Sequence, residues 1–268
     1  GSDRIFYGIA NIYLIQKKYS EAKKQIQLLK SKFQKSTILE EVDILLARIY
    51  LEEKNFTSAN KIFEDKLANL DKNPKTNALI FSIAENVASS GAYDQAILLY
   101  KRVLPKEKVL AIIQKQLNET RNTIKNMEKA RAVGTEKAIA TWKKKENEQK
   151  SLYDGIKAGM DLASLSLYRI GQCYSSMKKY NEARITYKNL MMLYPKDETV
   201  KEASYSLAIS FLLEEKMDDF KKTGYKYISD YSDESLGDNM RLAMIDVLLK
   251  EKKFSDVVED YKKGVFKF

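Results

Sequence analysis

The residue types that most often do chemistry are scarce in this chain. It holds one cysteine, Cys173, and no histidine. Imidazole-based triads and His-based zinc sites are therefore excluded. One cysteine also rules out CxxC redox pairs, thiolate metal clusters and an internal disulfide. Cys173 lies between Gln172 and Tyr174 in a helical pattern and reads as a small buried residue. No GxxxxGK[ST] or GxGxxG loop is present. Acidic pairs occur at Glu40-Glu41, Glu52-Glu53 and Glu214-Glu215. Adjacent residues on a helix do not face each other, so these pairs read as solvated faces rather than carboxylate dyads. No catalytic residue, metal site or cofactor is expected, and the chain is not read as an enzyme.

Positive charge is the remaining candidate. The net charge is +10, from 47 basic and 37 acidic residues. The densest basic run is Lys143-Lys144-Lys145, directly after Trp142, the only tryptophan. Such a run can attract nucleic acid, anionic lipid or an acidic protein. Glu146 and Glu148 follow at once, which favours a solvated helix face with Trp142 as a packing anchor. Elsewhere the charge is mostly lysine, spread along helix faces.

The elements that must carry these residues are helical. Among 268 residues there are 10 glycines and 3 prolines. That leaves little turn chemistry for strands. No apolar run approaches the roughly 20 residues of a membrane span. Gly1-Ser2 reads as a tag-cleavage remnant. The pattern is already helical at Asp3, so a longer natural protein is expected.

The clearest pattern runs from Leu167 to Pro195. Leu167, Ile170, Gly171 and Tyr174 share one helical face, and Ala183, Tyr187 and Leu190 another. Gly171 and Ala183 are expected to face each other, with Tyr174 and Tyr187 beside them. The pattern repeats. Its second-helix small position falls at 22, 59, 96, 183, 220 and 257, a period of 37 broken once by 87. Phe220 and Val257 replace the small residue, which predicts looser packing there. Gly224 and Gly264 are expected to weaken the same two helices.

The interval of 87 holds about one period plus 50 extra residues, 106–155. Leu110, Ile113, Leu117, Ile124 and Met127 form a near-heptad stripe. After Gly134, Thr135 is placed to cap a second helix carrying Ala138, Ile139 and Trp142. The expectation is a long helical hairpin with a net charge of +6 over 106–157. It packs on the repeats, serves as a partner-binding or dimerising arm, or binds nucleic acid or anionic lipid. Gly155 and Gly159 have GxxxG spacing, read as a helix start or a close crossing. The organisation expected is 1–2 remnant, 3–105 repeats one to three, 106–155 hairpin and 156–268 repeats four to six.

The Leu167–Pro195 pattern resembles the tetratricopeptide repeat (TPR) family, whose usual period is about 34. The resemblance implies an all-α, TPR-like α-solenoid, a right-handed superhelix of helix pairs. It implies a non-catalytic scaffold that binds partner proteins or peptides in a concave groove. The groove residues implied are Tyr7, Asn11, Ile44, Arg48, Phe81 and Glu85, then Tyr168, Gln172, Tyr205 and Ile209. The chaperone-tail clamp of some members is not implied, because Leu45, Ala78 and Ser82 break its polar set. Tyr194-Pro195 with Ala203–Ala208 is similar to bacterial envelope TPR proteins, including outer-membrane assembly lipoproteins and Tol-Pal accessory proteins. That implies an envelope or periplasmic setting, with a flagellar motor accessory structure fitting equally well. The other reading is an electrostatic binder of nucleic acid or anionic lipid through the hairpin surface at Trp142, Lys143, Lys144 and Lys145. Self-association through the C-terminal end or the hairpin is a further expectation.

Overall fold

The computed structural model describes residues 2–67, 74–130, 135–231 and 235–266. Among these are fourteen α-helices and no strand. In chain order they are α1 (Ser2–Ile15), α2 (Tyr19–Lys32), α3 (Leu39–Glu52), α4 (Phe56–Leu67), α5 (Lys75–Ser89) and α6 (Tyr93–Tyr100). Two long helices follow, α7 (Lys106–Ala130) and α8 (Glu136–Ala158). The rest are α9 (Leu162–Ser176), α10 (Tyr180–Leu193), α11 (Thr199–Leu213), α12 (Met217–Asp230), α13 (Ser235–Lys250) and α14 (Phe254–Lys262). The chain divides into two compact units. One is 1–90 with 107–158, the other 91–106 with 159–268. The division falls between α5 and α6, inside the third expected repeat. Helices α7 and α8 group with α1–α5.

In the first unit α1 packs with α2 and α3 with α4; in the second α9 packs with α10, α11 with α12 and α13 with α14. The turns that follow α1, α3, α5, α9, α11 and α13 share one backbone feature, and at all but Gly91 they share a double closure as well. Lys17, Lys54, Gly91, Lys178, Glu215 and Lys252 all have positive φ, and they recur with the sequence period. At Lys178 the geometry closes the first helix with two backbone bonds. Lys178 N–H donates to the Ser175 carbonyl at 2.9 Å, and Lys179 N–H to the Tyr174 carbonyl at 2.9 Å. Lys17 with Lys18, Glu215 with Lys216, and Lys252 with Lys253 form the same double closure. This left-handed cap satisfies carbonyls that the helix end would otherwise leave open.

The small-residue column is buried as the period requires. Ala22, Ala59, Ala96, Ala183 and Phe220 are all fully buried. Phe220 joins Tyr227, Met240 and Met244 in one apolar cluster. Its size is absorbed because Gly224 sits one turn on. A Cβ at Gly224 would lie 2.8 Å from Met244 Sδ and 3.3 Å from Met240 Sδ. Gly224 is therefore where α13 approaches, and not simply a weak point in α12. Gly264 lies beyond α14 and ends it at φ 79°, with Val265 N–H bonded to the Asp260 carbonyl at 2.9 Å. The group opposite Gly171 also differs from expectation. It is the Tyr187 ring, whose Cε1 an added Cβ would overlap. The glycine makes room for a buried phenol.

The insertion has a closed neck. Asp161 accepts from Ala163 N–H at 2.9 Å, capping α9. Its two oxygens also take Lys106 N–H at 3.2 Å. Lys106 Nζ reaches the Gly159 carbonyl. The chain thus leaves and re-enters at one place, and α6 packs on α9 as a preceding second helix would. Gly155 lies inside α8 with nothing near it, so it marks no close crossing; α8 ends just before Gly159.

Two glycine substitutions separate these roles. Gly8, inside α1, has open space around it. Gly8→Ala should stabilise by about 1 kcal/mol through helix propensity. Gly171→Ala gains the same propensity but must displace the Tyr187 ring, and should destabilise by about 1–3 kcal/mol. Urea melts of the two variants should therefore move in opposite directions.

The neck gives a second expectation. Asp161→Ala leaves the α9 cap and the Lys106 amide without their acceptor. It should cost about 1–2 kcal/mol, with Asp161→Asn recovering most of the loss. Equal thermal stability of wild type and Asp161→Ala would contradict this account.

Candidate partner-binding face

First helices are set against preceding second helices by a repeated electrostatic clamp. Lys23 Nζ lies 2.7 Å from Glu53 Oε1. Arg184 Nη2 lies 2.6 Å from Glu214, and Lys221 Nζ 2.9 Å from Glu251. Each cation follows the small position on a second helix, and each carboxylate lies in the turn after the next first helix. The separation is 30 residues every time. Lys216 adds a second cation to Glu214 at 3.0 Å, as Lys253 does to Glu251 at 2.7 Å. Arg184 is buried; it also bonds the Ser210 carbonyl and Asn181, and lies 4.6 Å from the Phe211 ring centre. Lys23 stands over Tyr50, which has the same register as Phe211. Glu53 and Glu214 are thus half-buried clamp members and not merely part of a solvated face.

Hydrogen bonds from Lys216 and then Arg184 hold the Glu214 carboxyl below its ordinary value of 4.5. Lys253 and then Lys221 do the same for Glu251. The bond to Glu251 raises Lys221.

The groove residues implied by the resemblance occupy two registers of the first helices. In the first unit Tyr7 is half-buried against the α1–α3 core cluster. Asn11 donates to the Tyr7 carbonyl at 3.1 Å. Ile44 is buried and offers a partner almost no surface. Arg48 is half-buried, and its Nε is enclosed without a hydrogen-bond partner. Phe81 and Glu85 are half-buried on α5.

In the second unit Tyr168 lies 6.0 Å from Tyr187, and Tyr205 lies 5.6 Å from Tyr227, between ring centres. Gln172 accepts from Arg169 at 2.8 Å. Ile209 rests on the α11–α13 cluster. Burial pushes the Tyr205 phenol up, and it pushes Tyr187 up to about 12. Both phenols are neutral donors at physiological pH. The period also supplies a sixth rung that sequence reasoning left out, Leu242 and Asp246. Leu242 is exposed, and Asp246 pairs with Lys250 at 2.6 Å.

On the hairpin, the buried stripe of α7 is Val109, Ile113, Leu117, Thr120 and Ile124. Leu110 and Met127 lie beside it, half-buried. No residue of α8 is fully buried. Arg121 pairs with Glu146 at 2.7 Å and Lys143 with Glu128 at 2.9 Å, two exposed bridges between the helices. Between them is a cleft of about 640 Å³, lined by Ile112, Gln116, Thr120, Trp142, Lys145 and Gln149 among others. Gln149 Oε1 is enclosed there without a hydrogen-bond partner. Lys145 Nζ stands 4.5 Å over the Trp142 ring. Lys144 is exposed. Thr135 directly precedes α8, and Gly134 lies outside the described residues.

Residues 165–197 match the tetratricopeptide repeat family model. One helix pair of the chain is thus similar to a tetratricopeptide repeat. The matched segment is the α9–α10 pair with the Gly171–Tyr187 contact. TPR segments generally mediate protein–protein interaction and are non-catalytic. Comparison with curated proteins gives no match. Among solved structures, the chain is similar to a signal-transduction ATPase with numerous domains and a tetratricopeptide repeat sensor, from Pyrococcus horikoshii. Identity is 14% and the TM-score 0.27, over 91% of this chain and 38% of that one. The chain thus spans well under half the length of that protein. Among the described residues no helix is long and apolar enough to cross a membrane, and none of the His, Cys, Asp and Glu groupings suits a metal ion.

The clamps give a pH expectation. Glu214 and Glu251 have folded values below 4.5, so near that pH the unfolded chain binds more protons than the folded one. Their contribution is present above about pH 4.5 and is lost as pH falls through the lowered folded values. The melting temperature should drop more steeply below pH 4.5 in wild type than in a Glu214→Gln/Glu251→Gln double variant. Parallel pH profiles would sink the assignment.

Proposed function

We propose that the chain is a non-catalytic scaffold that holds partner-protein segments on the first-helix faces of the repeats within each of its two units. The observation that carries this reading is the pairing of half-buried rings with an unmet donor. Tyr7, Phe81, Tyr168 and Tyr205 share one register, each half-covered by its own core and half-open. One turn on from this register, Arg48 Nε is enclosed without an acceptor. A buried donor left unpaired is costly, and a turn of the half-buried Arg48 side chain toward a carbonyl or carboxylate of a bound segment would satisfy it. Rings supply contact area at low entropic cost. The hairpin cleft, with half-buried Trp142 and the unpaired acceptor of Gln149, supports a second contact surface in the same assembly.

The setting we propose is a bacterial envelope or motor-associated assembly. Its support is the resemblance of the Tyr194–Ala208 stretch to envelope TPR proteins. Two of the three hairpin lysines are engaged by Glu128 and Trp142, which lessens the case for a nucleic-acid or lipid surface.

Site-specific photocrosslinking in the native cell tests the reading. A photoreactive side chain at Tyr7 or Tyr168 should capture one protein species, and the same side chain at exposed Lys24 should not. Arg48→Met should weaken binding of that species about tenfold or more. Equal capture from Lys24 would remove the face. Binding to random duplex DNA or anionic vesicles that collapses with a few-fold rise in salt would favour the electrostatic reading instead.

A further inference from the structure

The two hairpin helices meet through a polar seam. Beside the buried stripe of α7, Ile112, Gln116, Glu119 and Thr123 form a second stripe at the three- and four-residue spacing of one helical face. Trp142, Lys145 and Gln149 line the other side on α8. Helices that pack side by side bring apolar side chains together at such positions. Here Ile112 and Trp142 are the large apolar groups, and the others are amides, hydroxyls and charges. Apolar packing therefore does not close the seam, and the cleft of about 640 Å³ stands open along it.

Three groups in the cleft ask for the same ligand. Lys115 and Lys145 are exposed on opposite sides, and among the described residues neither has a carboxylate partner. Lys143 and Arg121, by contrast, already pair with Glu128 and Glu146. The Trp142 ring is half-buried and carries only a cation, Lys145 Nζ at 4.5 Å. Gln149 Oε1 is enclosed without a donor, and a turn of its half-buried side chain toward a main-chain N–H would satisfy it. A peptide segment supplies carboxylates, an apolar side chain and N–H groups together. The charge of the unit agrees. Residues 1–90 with 107–158 hold 26 basic and 18 acidic residues, a net +8, against 21 and 19, a net +2, in the other unit. A field of that sign draws an acidic ligand to this unit and repels a basic one. Phosphate polymers fit less well, because they gain affinity from many cations at once. The cleft offers two, with the Glu119 carboxylate beside them.

Building on the cleft as a contact surface of the scaffold, we propose that it receives an acidic segment of a partner protein. An apolar side chain of that segment lies against Trp142 and Ile112. Carboxylates on either side of it bind Lys115 and Lys145, drawing Lys145 off the ring. Gln149 accepts from the segment's main chain.

Trp142 is the only tryptophan, so its emission reports this cleft alone. A displayed library of short random peptides is selected on the full chain, and the selected peptides are titrated while that emission is followed. Expected are sequences with an apolar residue flanked by aspartate or glutamate, which shift the emission to the blue and saturate. A Lys115→Glu/Lys145→Glu double variant should bind them about tenfold or more weakly. Both lysines are exposed, so its circular dichroism melt should match wild type. Arg48→Met should leave these titrations unchanged, which separates the cleft from the first-helix face. Selected peptides that lack acidic residues, or that bind the double variant as tightly as wild type, overturn the proposal and leave that face untouched. A library that yields no peptide shifting the Trp142 emission overturns it as well. So does a shift produced by single-stranded DNA or phosphatidylserine vesicles at lower concentration than by any selected peptide, which would assign the cleft to phosphate.

Discussion

Each helix pair turns through one residue held in the left-handed region, and that residue fixes where the second helix starts. Five of the six positions are not glycine. A side chain in that region costs roughly 1–2 kcal/mol. The cost persists because the two backbone bonds of the cap and the packing of both helices over-determine the turn. Lysine at four positions adds a cation near the helix C-terminus, where the macrodipole favours it. Any slip of one residue would rotate the second helix by about 100° and carry Ala183 or Tyr187 off the buried face. The register of every later contact depends on these turns.

The insertion is tolerated because it does not disturb that register. Its two ends meet at Asp161, which accepts from the first residue of α7 and caps α9. A closed loop of this length adds little entropic cost beyond that of a short one. The period can therefore resume after 87 residues as though nothing intervened. Helix α9 then stacks on α6, and α7–α8 are free to group with the other compact unit.

The period was legible because burial enforces it. Small and aromatic residues recur where helices press together, and a sequence records that demand directly. What each glycine faces was not legible. Gly171, Gly224 and Gly264 look alike in sequence. They meet a tyrosine ring, two methionines and a turn respectively, and only the neighbouring helices decide which. The clamps were missed for a different reason. Glu53 and Glu214 are each one of an acidic pair, and adjacency drew attention away from separation. The signal was a constant spacing of 30 between a cation and a glutamate. The groove residues were readable as registers, but their burial was not. Ile44 and Tyr205 occupy equivalent positions, yet one is covered and the other half-open.

The clamps also show how the repeats divide stability from specificity. Burying an ion pair recovers little net free energy, since desolvation offsets the attraction. Leaving one member unpaired is costly. Arg184 is nearly inaccessible, so α11 cannot slide along α10 without stranding a charge. The clamp thus selects one alignment rather than deepening it. At the α6–α9 junction the same registers are Ile97 and Met177, which any small shift would still accommodate. That junction needs no electrostatic register, because Asp161 already fixes the start of α9 by its bonds to Ala163 and Lys106. Charge is used where alignment is otherwise open, and apolar packing where a cap has already set it.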